Sequence, residues 1–216
     1  MENESLSEQN LNSSFLSIWV KPRDTIRRIV NNNPSYLVIL LTAIFGIGQA
    51  IDRASSRNAG DVLNLLEILI ICAIGGPLGA IFSLYISGAL IRWTGSWFGG
   101  QASSEEVRAA IAWSTIPVIV AYSTWIPVIS GAGLEMFTSY TPRIDTNPLL
   151  ALFIFGIVLL QIILSLWTIV LYTICMSEVH KFSVWKAIAS ILLGGLIIVI
   201  PIFLVVFLIQ TITFSP

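Results

Sequence analysis

LNLLEILIICAIGGPLGAIFSLYISGALI, residues Leu63–Ile91, holds one charged side chain, Glu67, in an otherwise apolar run. A hydrocarbon core of ~30 Å is crossed by ~20 helical residues, so this run is long enough to span a bilayer. Four more runs share its character: Pro34–Ile51, Val107–Ile129, Pro148–Met176 and Ala187–Ile212. In lipid each backbone amide must be satisfied within the segment, which makes the α-helix the spanning form for runs of this length. The expected fold is all-α, a polytopic integral membrane protein with five transmembrane helices over residues 34–216.

Composition agrees. The chain is 56% hydrophobic and 11% charged, roughly half the charged share of a soluble chain. At a net charge of −1 no basic stripe exists to neutralise phosphates, so nucleic acid is excluded as a partner. Cys72 and Cys175 both lie in apolar runs and read as buried thiols rather than a disulfide framework. Met1–Ser14, with Glu2, Glu4 and Glu8 among Ser and Asn, reads as a disordered acidic tail. It is the reverse of a basic-then-apolar signal peptide.

Orientation follows from the basic residues. Lys21, Arg23, Arg27 and Arg28 precede the first run, Arg92 and Arg108 flank the second loop, and Lys181 and Lys186 lie in the fourth. Those eight share one side; Arg53, Arg57 and Arg143 are the three on the other. Cytoplasmic loops are enriched in Lys and Arg, so the N-terminus is expected in the cytoplasm and the C-terminus outside a cell membrane.

The boundaries carry punctuation. Asn33-Pro34 and Asn147-Pro148 each place a capping residue before a proline at the first helical position. Ser103-Ser104-Glu105-Glu106 reads as a capping box opening the third run. Ser183 is placed to cap the fifth. Ser130–Asn147 reads as a polar loop. Pro117, Pro127 and Pro201 are expected to kink the third and fifth spans.

Residues 15–33 read differently. Phe15, Ile18, Trp19, Pro22, Ile26, Ile29 and Val30 recur at spacings of three and four, with Lys21, Arg23, Arg27 and Arg28 largely between them. This is the pattern of an amphipathic segment in the cytoplasmic interface. Trp19 would anchor it, Ile26, Ile29 and Val30 would dip among headgroups, and the cations would meet anionic lipid. Pro22 is expected to split it. The alternative is a short basic flank that only sets topology.

The run Trp19-Val20-Lys21-Pro22-Arg23-Asp24-Thr25-Ile26-Arg27 resembles the Trp-x-x-Pro-x-x-Thr-x-Arg opening of bacterial Yip1-domain proteins. The similarity continues through Tyr36, Gly75-Gly76-Pro77, Leu84–Gly88, Trp97–Gln101, Glu106–Pro117 and Ser177–Ser183, in the family's order. The resemblance implies a five-helix membrane domain with a cytoplasmic N-terminus, and it brings no catalytic or ligand site. Eukaryotic members are associated with Rab GTPases and vesicle traffic, and bacteria lack Rab proteins.

Candidate functional positions fall in two groups. Glu67 lies either at depth, where an ionisable group is costly and marks function, or near the outer headgroups. Gly75-Gly76-Pro77 either breaks the second helix, as in transporter binding sites, or lets helices pack closely. The second group is the basal set: Arg92, Glu106 and Arg108 around the second loop, with Glu178 and His180 in the fourth. An ion-paired cluster of Glu106, Arg108 and Glu178 is expected to tie helix ends together; the alternative is independently solvated charges.

With one histidine, no two-His metal motif exists. No phosphate loop and no Cys–His pair is present either, so neither an enzyme nor a cofactor is expected. Two readings remain. One is a non-enzymatic scaffold or adaptor, in contact with the bilayer and with a second copy or another membrane protein. The other is a small-molecule transporter or lipid translocase built on the second helix and Glu67.

Overall fold

The structure, a computed structural model, describes residues 14–213; apart from Ser14, the expected acidic tail lies outside them. Among the described residues there are helices and no strands. Helix α1 covers 14–20. It is followed by α2 (Pro22–Asn32), α3 (Val38–Ser56), α4 (Leu65–Trp97), α5 (Ser104–Ser114), α6 (Ile116–Ser123) and α7 (Trp125–Ala132). A short α8 (Pro142–Asp145) leads to α9 (Pro148–Val179) and α10 (Val184–Thr213).

Five spans are long and apolar enough to cross a membrane, as expected: α3, α4, the composite Ser104–Phe137, α9 and Val184–Phe207 of α10. The composite is the central one and the most buried of the five. Val107, Ala109, Ala110 and Trp113 of α5 are wholly buried. The alanines keep that face thin, so that α3, α4 and α9 close around it.

Three boundaries differ from expectation. Helix α3 starts at Val38 rather than Pro34, because the Asn33 side chain accepts from the Ser35 amide at 3.1 Å and closes a turn. Helix α4 runs unbroken through Gly75-Gly76-Pro77. Pro77 forfeits one amide donor, and the surrounding helical bonds carry the helix past it. The interruption falls instead in the third span, at Thr115 and Thr124, which close α5 and α6 just before Pro117 and Pro127. Their hydroxyls donate to the carbonyls of Ala112 and Ala121 at 2.7 and 2.6 Å.

The third loop is more structured than a polar connection. After α7 the chain forms a 3₁₀ turn over Gly133–Phe137. Phe137 is fully buried, stacks on Trp125 at 6.3 Å and joins Ile68 and Cys72 in a small second core. Helix α9 opens as its sequence indicates, with the Asn147 side chain accepting from Leu150 N at 3.1 Å.

Pro22 does split the N-terminal segment into α1 and α2. The apolar face of the segment is turned inward, though. Ile18 and Ile26 are fully buried and Ile29 is 6% exposed, all within the main core. Ile26 and Ile29 therefore do not dip among headgroups. The Phe15–Trp113 ring contact, 5.2 Å between centroids, shows the reason. The bundle offers an apolar seat, and burial there removes more surface from water than an interface would.

Candidate functional site

The end of the bundle that carries α1 and α2, here the basal end, gathers most of the candidate residues. Helix α4 terminates through Gly99, whose φ of +82° suits a residue without Cβ, and Gly100 N donates to Gly95 O at 3.0 Å. Helix α9 terminates through Lys181 at φ +57°, with Phe182 N donating to Ser177 O at 3.1 Å. The two ends interlock. Gln101 N donates to His180 O at 3.3 Å, and the His180 ring wedges against Gly95 and Gly100. A Cβ on either glycine would overlap that ring. The ring lies parallel to Phe182, 4.9 Å between centroids, and is 1% exposed.

Neither His180 ring nitrogen has a hydrogen-bond partner. Burial pushes the imidazole below its usual pKa, and the charge of Glu106 offsets this only in part. His180 is thus a neutral wedge shut away from solvent.

The expected cluster of Glu106, Arg108 and Glu178 does not form; each group has its own partner. Arg27 reaches Glu178 Oε1 from Nε and Nη2, both at 2.7 Å. The hydrogen bond and the carboxylate charge raise the Arg27 pKa further. Glu106 is committed to α5: Ser103 N donates to Glu106 Oε2 at 2.6 Å, and Glu106 N donates to Ser103 Oγ at 3.2 Å. Arg108 lies over the Tyr85 ring at 4.7 Å from its centroid, a cation–π contact between α5 and α4. Arg92 donates to Ser104 Oγ at 3.3 Å.

Of the cations assigned to the lipid interface, Lys21, Arg23 and Arg28 are exposed on this end. Arg28 also donates to Ser17 Oγ at 3.3 Å. Trp19 packs partly buried against the core, while Leu16 and Val20 are 77% and 80% exposed.

Glu67 stands at the opposite, distal end in the first turn of α4. Asn64 N donates to Glu67 Oε2 at 2.9 Å and Glu67 N donates to Asn64 Oδ1 at 3.0 Å, a closed capping box on an exposed helix start. Glu67 is therefore not a carboxylate at depth. With α4 unbroken as well, both supports of the transport reading are gone.

Mid-membrane, Gly76 meets Gly46 backbone to backbone, and a Cβ on either would collide with the other. Gly75 is different: no atom lies within 4 Å of the place its Cβ would occupy. Gly46, Gly95 and Gly100 were not legible as partners. A signal existed for the first, since Gly46 and Gly76 stand 15 residues either side of Asp61 and so come level in an antiparallel pair. Among the described residues no cluster of His, Cys, Asp or Glu suits a metal ion.

These interlocked loops are the same Trp97–Gln101 and Ser177–Ser183 segments that carry much of the family resemblance. No curated protein and no solved structure matches the chain significantly. The family model described as Yip1 domain matches residues 16–209, nearly the whole length. The chain is a multi-pass membrane protein that belongs to the Yip1 domain family.

Proposed function

We propose that the protein is a non-enzymatic scaffold of the cell membrane, N-terminus in the cytoplasm, presenting its basal end to a partner protein. One observation carries this reading: four basal candidates, Glu106, Glu178, Arg108 and His180, are committed to holding helix ends. Glu106 closes a cap, Glu178 clamps Arg27, Arg108 covers Tyr85 and His180 is a buried wedge. None is left poised for proton transfer in an open cleft, which general acid–base chemistry requires. The same commitments make a rigid end of two docked helices and two locked loops. Rigidity suits presentation of a surface, because less ordering is lost on binding. The exposed Leu16 and Val20 beside Lys21 and Arg23 support contact of α1 with anionic lipid at that surface.

A photocrosslinking residue at Arg23 or Asp24 in the full chain tests this in cells. Discrete protein adducts are expected. Labelling of lipid alone from both positions would overturn the scaffold reading.

A further inference from the structure

A groove of about 550 Å³ runs between α3 and α4, floored by Ile111, Ala112 and Thr115 around the end of α5. Its chemistry is ordered along its length. At the distal mouth stand Arg53, in the last turn of α3, and Arg57, which caps that helix, with Gln49 one turn deeper. No hydrogen bond or ion pair among the described residues engages either guanidinium. Below Gln49 three of the hydroxyls are turned back onto their own helices. Thr42 donates to Val38 O, Ser87 to Ser83 O and Thr115 to Ala112 O, each at 2.7 Å. The deep part thus offers a mostly apolar wall, in which the Ser83 hydroxyl is left without a hydrogen bond among the described residues.

The α4 wall is Gly75, Gly79, Ser83 and Ser87, at four-residue spacing on one face. Around Gly75 and Gly79 no atom comes within 4 Å of a Cβ, so these glycines leave open space instead of seating a neighbour. The lining from Ile71 to Ser87 extends ~24 Å at 1.5 Å per residue, longer than the ~15 Å hydrocarbon depth of one leaflet.

We infer that this groove binds one anionic phospholipid from the distal leaflet. Its phosphate sits between Arg53 and Arg57, its ester region at Gln49, and one acyl chain lies along the Gly75–Gly79 wall. Two cations, then an amide, then a mostly apolar slot repeat the order of phosphate, ester and tail. A second copy fits worse. Pairing across this face about an axis normal to the membrane would bring two Arg53 and two Arg57 side chains together as like charges.

The test uses the full chain in detergent, with phosphatidylglycerol and phosphatidylcholine of matched acyl chains added before native mass spectrometry. One phosphatidylglycerol per chain is expected to be retained, and phosphatidylcholine is not. Arg53→Gln with Arg57→Gln should lower that retention about tenfold or more, the loss of charge-assisted hydrogen bonds. Gly79→Leu should abolish retention while leaving the lipid-free melting temperature unchanged, since it fills open space. Equal retention of both lipids by all three proteins would reduce the binding to annular lipid and overturn the inference. So would a dimer that Gly79→Leu splits, which would assign the face to a second copy. The outcome is independent of the scaffold reading, which concerns the basal end.

Discussion

Arg27 on α2 and Glu178 at the end of α9, 151 residues apart in sequence, share one carboxylate oxygen through two 2.7 Å contacts. The pair fastens the N-terminal helices to the bundle, with Ile18, Ile26 and Ile29 buried beneath them. Exposed ion pairs usually contribute little. Here the pair bridges α2 to the end of α9, while the buried isoleucines supply most of the adhesion.

Arg27→Glu should therefore loosen α2 without unfolding the spans. Amide exchange over 22–32 is expected to quicken several-fold and to recover when Glu178→Arg is added. Exchange unchanged in both proteins would mean that apolar packing alone fixes the segment.

The two central glycines next to Pro77 should behave oppositely. Gly76→Leu drives a side chain into the Gly46 backbone and should cost about 3 kcal/mol or more, at the upper end of overpacking penalties. Gly75→Leu enters open space and should leave the melting temperature in detergent nearly unchanged. Equal damage from both would contradict the close approach of α3 and α4.

Glu67→Gln keeps a cap-competent side chain and loses only the charge at a helix N-terminus. A loss of about 0.5 kcal/mol is expected. A collapse of stability would point to a buried role for this carboxylate.

His180 gives a pH signature. Its folded pKa lies below the unfolded value of about 6.5, so the folded state resists taking up the proton. Its contribution is intact above that pH and is lost as the pH falls through the folded pKa. The melting temperature should drop more steeply on acidification for the parent protein than for His180→Phe, which keeps the ring stacked on Phe182. Parallel curves between about pH 5.5 and 7.5 would refute the neutral wedge.

Eight basic residues against three predict a cytoplasmic N-terminus. Reporter fusions after Glu178 should read cytoplasmic and fusions after Pro216 external. The same side for both would contradict an odd number of spans.

The sequence by itself determined the class, the five spans and the capping box at Ser103, because hydrophobic length and helix-end chemistry are local properties. It also located the residues of the basal end, though it paired them wrongly. Glu106 was legible as a cap and Glu178 as a cation's partner, but which cation depended on α2 folding back over α9. Tertiary structure alone decided that Ile26 and Ile29 face protein instead of lipid, since an apolar stripe reads the same against either. It decided as well that Gly76 is a contact and Gly75 a space. Adjacent residues on a helix point about 100° apart, and only the position of α3 determines which of them meets a neighbour.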